Sequence, residues 1–307
     1  MSLAPPAAPI GSASPLDRRQ DAGAGILWMV LAVGIFSVMD TLAKWQAETY
    51  HVAQLIFFRS FFGLMVLLPF LMRGRGVLVK LRSRQIGLHI VRSFFGLAAL
   101  FAFFQSVRYL ELADAVVLSF ASPLFLTGLS VLLLGEHVGW RRWAAILVGF
   151  VGVLVMMQPG GDLFTLYALL PLAGALAYAV VGIFIRVLAR TEETVTIVFY
   201  FGLFATLATA VMLPFVWIAP RDAMDWVAQI AIGVCGGFAQ MAMTNAFSRA
   251  PLAVVAPFDY TAIIWSVMFG YVVWGDMPAL TTWAGTGIVV ASGLYILHRE
   301  TRRRPPG

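Results

Sequence analysis

Charged side chains are scarce in this chain, and the residue patterns on which most enzymes depend are missing. Only 12% of the 307 residues are charged and 61% are hydrophobic, so a water-soluble globule would have too few polar side chains to cover its surface. The chain has no HExxH, no GxSxG and no Walker-type glycine-rich loop, and its four histidines are too scattered to bind a metal ion. A single cysteine, Cys235, excludes an intrachain disulfide and is interpreted as a packing residue. The sequence therefore predicts neither an enzyme nor a resident metal or cofactor.

The chain instead contains ten apolar stretches separated by short polar loops. Most are close to the ~20 residues that an α-helix needs to cross about 30 Å of hydrocarbon. They lack the alternating pattern of a barrel strand, and only a helix pairs its backbone groups within one segment. The sequence therefore predicts an all-α membrane protein with ten transmembrane helices, at roughly residues 24–44, 52–72, 87–107, 114–134, 142–158, 165–185, 194–216, 226–247, 252–274 and 281–297.

Positive charge is concentrated in alternate loops. One set of loops and tails holds most of the lysines and arginines, whereas the other set holds only Lys44, Arg108 and Arg221. Because positively charged loops remain in the cytoplasm, we expect both termini to be cytoplasmic. Residues 1–22, rich in Pro, Ala and Ser, are expected to be a disordered tail, and residues 299–307 a basic one. The net charge of +6 arises at the membrane surface and gives no reason to expect nucleic acid as a partner.

The second half of the chain repeats features of the first. AVVLSF at 115–120 is matched by AVVAPF at 253–258, GE at 135–136 by GD at 275–276, and LLPF at 67–70 by MLPF at 212–215. The matches occur in the same order at similar offsets, which indicates a diverged duplication with repeats over 23–159 and 160–298. Because each repeat has five spans, the two must enter the membrane in opposite directions, as in many secondary transporters.

Residues 109–153, YLELADAVVLSFASPLFLTGLSVLLLGEHVGWRRWAAILVGFVGV, resemble the EamA unit of the drug/metabolite transporter superfamily. Its proline, Gly-Glu and glycine positions are occupied by Pro123, Gly135, Glu136, Gly149 and Gly152. FSVMDTLAKW at 36–45 and FFRSFFGL at 57–64 resemble a bacterial branch that includes S-adenosylmethionine and riboflavin uptake proteins. The second repeat departs from the pattern at Asp276, which replaces Glu. The resemblance implies two inverted five-helix EamA repeats around a central cavity, lined by helices one to four and six to nine, with the fifth and tenth helices as peripheral supports.

Few ionisable residues lie within the predicted spans, where such groups are costly. Asp40 and Lys44 share one face of span one, and Arg59 lies at a similar depth on span two. We therefore expect an Asp40–Arg59–Lys44 cluster near the periplasmic mouth. A structural ion pair and a role in gating or substrate binding both explain such a cluster.

Arg92 and His89 lie near the cytoplasmic start of span three. Two interpretations stay open: their side chains reach toward lipid phosphates, or Arg92 binds a carboxylate or phosphate of a substrate. Asp259 lies near mid-membrane in span nine, two residues after Pro257, which removes a backbone donor. It is a candidate proton or cation site, with a hydrogen bond to a neighbouring helix as the alternative.

Other polar residues are candidates for the cavity wall, although polar side chains are also ordinary helix contacts in membranes. They are Gln105, Ser119, Ser122, Tyr178, Gln240, Asn245 and Tyr260. Glu136 and Asp276 end spans four and nine. We interpret them as structural acids that cap the next helix or pair with Arg141 or Arg142.

These features favour a secondary transporter of a small organic metabolite, driven by a gradient or by exchange because no ATP-binding motif is present. A non-transporting membrane receptor or assembly subunit and a lipid-modifying membrane enzyme are the alternatives. The expected partners are the substrate, the lipid bilayer and protons or another coupling ion, and a homodimer stays open. The resemblance implies a bacterial inner membrane. It leaves the direction open, since exporters are common in the superfamily and the first-half motifs resemble uptake proteins.

Overall fold

The structure, a computed structural model, describes residues 22–72, 83–122, 124–126, 128–129, 140–157, 166–250 and 255–302. This part of the chain is helical and contains no strand. Its α-helices of eight or more residues are α1 (Ala22–Ala47), α2 (Val52–Met72), α3 (Ile86–Ser106), α4 (Leu112–Ser119), α5 (Trp140–Met157), α6 (Leu169–Leu188), α7 (Thr194–Val216), α8 (Ala223–Arg249), α9 (Ala262–Trp274) and α10 (Leu280–Arg302). Two 3₁₀ helices, Leu166–Ala168 and Ala256–Thr261, lead into α6 and α9.

Six described helical segments are long and apolar enough to cross a membrane. They are α1, α2, α3, α7, α8 and the segment Leu166–Leu188, which contains α6. Shorter apolar helices cover Leu112–Leu126, Phe258–Trp274 and Leu280–Ser292. The prediction of an all-α, multi-pass membrane protein is confirmed, while the number of ten crossings stays a prediction. Pro123, Glu136 and most of the two predicted tails lie outside the described residues.

Two of the predicted spans are not regular α-helices throughout. The segment that contains Pro257, which lacks a backbone donor, forms the 3₁₀ helix Ala256–Thr261 before α9 begins. The α-helix is therefore disturbed at this proline. A second disturbance was not expected: α4 ends at Ser119, and the amides of Phe120 and Ala121 bond to carbonyl oxygens three residues earlier, at 3.0 and 3.2 Å. These two breaks fall in the matched AVVLSF and AVVAPF segments. Short 3₁₀ stretches have poorer hydrogen-bond geometry than an α-helix and often mark functional hinges.

The helices form an inner group and an outer pair. In the inner group, α1 packs against α8, α2 against α7 and α8, α3 against α6 and α7, and α4 against α6 and α9. Outside this group, α5 packs against α10. The arrangement agrees with the expectation that the fifth and tenth helices are peripheral supports.

Glycines allow α2 and α8 to cross with their backbones in contact. A Cβ atom on Gly237 would lie 2.9 Å from the Cα atom of Gly63, and one on Gly233 would lie 2.4 Å from the Cβ atom of Phe62. Gly233 and Gly237 are four residues apart, the small-xxx-small spacing that lets membrane helices approach closely. This crossing brings Arg59 on α2 beside Gln240 on α8.

Polar contacts between the helix ends join regions that the sequence predicts on the same side of the membrane. At the predicted periplasmic side, the Gln54 amide exchanges hydrogen bonds with the Ile218 backbone, at 2.9 and 3.0 Å. At the predicted cytoplasmic side, Ser83 Oγ donates to Glu192 at 2.6 Å. Both contacts join the first half of the chain to the second.

Candidate functional site

A cavity of about 210 Å³ lies among the inner helices. Its lining comes from α1 to α4, α6 to α8, the 3₁₀ helix Ala256–Thr261 and α9, with no residue from the described parts of α5 and α10. Most lining side chains are apolar or aromatic. The cavity brings together eight of the residues proposed from the sequence: Asp40, Arg59, Arg92, Ser119, Ser122, Tyr178, Gln240 and Asp259.

One wall of the cavity is positively charged. The Arg92 Cζ atom lies 3.9 Å from the centre of the Phe201 ring, and the Arg59 Cζ atom lies 5.6 Å from the same centre. Both distances fall within the range of a cation–π interaction. Arg59 Nη2 also donates to Gln240 Oε1 at 3.3 Å. Phe201 thus contacts two guanidinium groups from different helices.

Of the two interpretations of Arg92 and His89, the one in which their side chains reach toward lipid phosphates disagrees with their positions. Arg92 is only 1% exposed, and its guanidinium lies against Phe201 and the cavity. The His89 side chain is fully buried, with its ring stacked on Tyr200 at 4.4 Å. A side chain that reached the membrane surface would be exposed at its polar end. Of the two interpretations of Arg92, the cavity-facing one agrees with its position.

Lys44 does not belong to the cluster expected with Asp40 and Arg59. Its ammonium group lies 3.4 Å from Asp276 Oδ2, donates to the Leu110 carbonyl oxygen at 3.4 Å and sits 4.8 Å from the centre of the Trp274 ring. The side chain thus contacts the segment between α3 and α4 and the end of α9. Asp276 forms this ion pair with Lys44, whereas the side chains of Arg141 and Arg142 lie outside the described part of the chain.

Asp40 and Arg59 both line the cavity and interact electrostatically. They form no ion pair within 4.0 Å in the described part of the chain. A direct structural salt bridge between them is therefore not observed. The Asp40 carboxyl is instead available at the cavity surface, next to the positively charged wall.

Asp259 lies in the 3₁₀ helix that precedes α9 and faces the same cavity. Among the described residues, its carboxyl group makes no hydrogen bond and no ion pair. Tyr178, close enough to interact electrostatically with Asp259, donates its hydroxyl to Met243 Sδ at 3.3 Å. The interhelical hydrogen bond considered for Asp259 is thus not observed there.

Gln105, Asn245 and Tyr260 lie outside the cavity lining. Gln105 Nε2 is 3.5 Å from the Tyr109 hydroxyl at the end of α3. Asn245 donates to the carbonyl oxygen of residue 241 at 3.1 Å, which is a contact within α8. Tyr260 is buried and packs edge-on against Phe120. These three candidates are therefore absent from the lining of this cavity.

Sequence reasoning missed Phe201 and the glycines that make room for the arginines. A Cβ atom on Gly96 would lie 2.8 Å from Phe201, and one on Gly236 would lie 2.9 Å from Arg59 Cγ. Phe201 lies in the aromatic run FYFGLF, where no local signal separates it from phenylalanines that face lipid. The spacing of Gly233 and Gly237 is the signal that could have revealed the α2–α8 crossing.

Comparison with known proteins gives a consistent picture. The model of the EamA-like transporter family matches residues 23–158 and 165–297. A pseudopaline exporter of Pseudomonas aeruginosa is 35% identical, over 87% of this chain and 94% of its own length. A riboflavin transporter of Vibrio cholerae is 29% identical, and an S-adenosylmethionine uptake transporter of Rickettsia prowazekii is 27% identical, each over 91% of this chain and 94% of its own length. A solved crystal structure, 21% identical, shares the fold with a TM-score of 0.69 over 92% of this chain and 98% of that one.

Proposed function

Because the chain belongs to the EamA-like transporter family, we propose that it carries a small organic metabolite across the bacterial inner membrane by alternating access to the central cavity. Its relatives are named transporters and exporters, and the chain is accordingly a membrane transporter and not an enzyme. The observation that carries the proposal is the cavity itself, which gathers ionisable side chains between helices of both halves. Burying a charged group within a membrane costs free energy, and such groups usually face a transport pathway or a partner.

The proposed architecture is ten crossings in two inverted repeats, over residues 23–159 and 160–298. Three observations support it. The family model matches the chain twice in succession, the outer helices α5 and α10, one from each half, pack against each other, and the polar contacts join ends predicted on one side. With the positively charged loops inside, both termini are cytoplasmic.

The proposed substrate class is a small organic metabolite with an apolar or ring-containing part. The named cargoes of the relatives, riboflavin, S-adenosylmethionine and pseudopaline, are all small organic molecules. In this chain, Phe36, Phe103 and Phe120 supply aromatic surface to the cavity. A volume of about 210 Å³ is below the ~300–1,000 Å³ typical of ligand pockets. Either the substrate is compact, or the cavity must widen when the substrate binds.

Transport is proposed to be coupled to protons through Asp259. The carboxyl group lies beside the cavity, on the 3₁₀ segment that interrupts span nine. A carboxyl group without a partner in an apolar environment exchanges protons when the cavity opens to water. The same protons would then accompany or oppose the movement of the substrate.

Flux measurements in proteoliposomes test both steps. The wild-type protein should move at least one member of a metabolite panel in response to an imposed proton gradient, and the panel is tested in both directions. Asp259→Asn should retain counterflow exchange and lose accumulation against a gradient. Asp276→Asn, an acid that lies outside the cavity lining, is the matched control and should keep accumulation. Absence of any flux across the panel contradicts transport, and normal accumulation by Asp259→Asn contradicts the coupling role alone.

A further inference from the structure

We propose that one carboxylate group of the transported molecule binds to Arg59, Arg92 and Gln240 on the charged wall of the cavity. The inference rests on the proposed transport function and specifies the substrate class of the same cavity. It starts from the hydrogen-bond donors that these three residues leave unused.

The charged wall contains several donors that form no hydrogen bond. Within the described residues, Arg59 Nε, Arg92 Nε, Arg92 Nη1 and Gln240 Nε2 are buried and lack a hydrogen-bond partner. The acceptor atom of Gln240 is already used, because Oε1 receives a hydrogen bond from Arg59 Nη2. The free end of the Gln240 amide is therefore a donor too. Buried donors are normally paired, so a wall of unpaired donors is complementary to an acceptor-rich anion.

The net charge of the wall favours an anion that carries one negative charge. Arg59 and Arg92 each contribute a positive charge and interact with one another, and Asp40 interacts with Arg59. With Asp40 ionised and Asp259, which lines the same cavity, protonated, the two guanidinium groups keep a single uncompensated positive charge. A carboxylate neutralises it, whereas a doubly charged phosphate would leave an excess negative charge in an apolar environment. The planar guanidinium fork also matches the geometry of a carboxylate.

Phe201 is a positioning residue for this subsite. Its ring lies against the guanidinium of Arg92 at 3.9 Å and approaches that of Arg59 at 5.6 Å. These contacts with the ring use no N–H group as a hydrogen-bond donor, so the N–H groups of both guanidinium groups stay available to a ligand. Gly96 makes this contact sterically possible, because a Cβ atom there would lie 2.8 Å from the Phe201 ring.

The test compares three ring compounds that differ in their head group: benzoate, benzamide and phenyl phosphate. Thermal unfolding of the purified full chain is measured against the concentration of each compound. Benzoate should stabilise the protein saturably, and the other two should bind about ten-fold more weakly or worse, as expected when a charged hydrogen-bond partner is lost or mismatched.

Variants locate the binding. Arg92→Gln removes the charge and Arg92→Lys keeps it without the fork, and both should weaken benzoate binding about ten-fold or more. Phe201→Leu should reduce the preference for benzoate over benzamide, which a purely structural role would not change. Arg190→Gln, an exposed arginine outside the cavity, is the control and should bind benzoate normally. Unfolding without ligand shows whether each variant is folded.

Equal stabilisation by all three compounds, or by none, overturns the inference, as does unchanged benzoate binding in Arg92→Gln. Tighter binding of phenyl phosphate overturns the carboxylate assignment and indicates a phosphate. Failure of this inference is distinguishable from failure of the proposed function. A protein that transports only neutral metabolites refutes the carboxylate subsite, and one that binds benzoate through Arg92 but moves nothing refutes transport.

Discussion

Substituting alanine for Gly233 should push α2 and α8 apart. The new Cβ atom would lie 2.4 Å from Phe62 Cβ and 2.5 Å from the carbonyl oxygen of Phe58. Carbon atoms pack at about 3.5–4.0 Å, so the helices must separate by roughly 1 Å. Neither neighbouring atom can rotate away, because one is backbone and the other is attached directly to it. Overpacking of this kind costs about 1–3 kcal/mol.

The same displacement should disturb the charged wall. The hydrogen bond from Arg59 to Gln240 spans α2 and α8 and is already long at 3.3 Å. A further separation of about 1 Å takes it beyond the range of a hydrogen bond. Gly233→Ala should therefore reduce substrate flux as well as stability, although residue 233 does not line the cavity.

Cys235 provides the assay, since it is the single thiol of the chain and lies on α8 beside Gly233 and Gly237. A loss of 1–3 kcal/mol should raise the rate at which a thiol reagent labels it by roughly 5- to 150-fold, if labelling follows local opening. The control is Gly287→Ala on α10, where a Cβ atom meets no other atom within 4 Å. That variant should be neutral or stabilising by up to ~1 kcal/mol. If Gly233→Ala labels and unfolds like the control, the close crossing of α2 and α8 is refuted.

Four other outcomes are expected. Asp40→Asn and Arg59→Gln should each lower stability or flux, and the double variant should recover part of the loss, whereas strictly additive losses in a double-mutant cycle exclude coupling. Lys44→Ala should lower the free energy of unfolding by about 1–3 kcal/mol, because it removes the partner of the partly buried Asp276 and of the Leu110 carbonyl oxygen, and it should preserve flux because Lys44 lies outside the cavity lining. A loss of transport as large as that of Arg59→Gln would show that Lys44 belongs to the site. Tyr50→Phe removes hydrogen bonds with Asp225 and the Arg221 amide, at 2.5 and 3.1 Å, and should cost about 1–3 kcal/mol in thermal unfolding. Burial and the bond to Asp225 raise the pKa of Tyr50. Its contribution to the free energy of unfolding is therefore present below the unfolded pKa of about 10 and is lost as pH rises through the higher folded pKa. Tyr50→Phe should lose stability less steeply at alkaline pH than the wild type, and an unchanged dependence of stability on pH contradicts this. In a Cys235→Ser background, Ala219→Cys should react with an impermeant thiol reagent in intact cells and Arg190→Cys only after lysis, and the reverse pattern contradicts the proposed orientation.

Much of the site could be predicted because ionisable residues are rare in apolar spans. Asp40, Arg59, Arg92 and Asp259 stand out for that reason, and all four line the cavity. The partners of these residues could not be predicted in the same way. Lys44 shares a helix face with Asp40, yet its ion-pair partner Asp276 lies 232 residues further along the chain.

The direction in which a side chain points depends on contacts that a single helix does not reveal. Arg92 turns to the cavity because Phe201, on α7, offers an aromatic face and Gly96 leaves space for it. Gln105 and Asn245 are polar and lie on helices that line the cavity, but their side chains bond elsewhere, to the Tyr109 hydroxyl and to the carbonyl oxygen of residue 241. Helical periodicity predicts that residues share a face, and only packing decides which face looks inward.

The hydrogen bonds at the two ends of the bundle differ in their access to water, and that difference bears on which side the empty carrier faces. At the predicted periplasmic end, the fully buried Gln54 donates to Gln229, which is also fully buried, and bonds to the Ile218 backbone. At the predicted cytoplasmic end, the contact of Gln85 with Thr191 is exposed and that of Ser83 with Glu192 is partly buried. Breaking a buried hydrogen bond leaves its donor without a partner, whereas water can replace the partner in an exposed hydrogen bond. Under the alternating access and orientation proposed above, the substrate-free protein should therefore open more readily toward the cytoplasm. A molecule arriving from outside would then have to supply the binding energy that opens the other end.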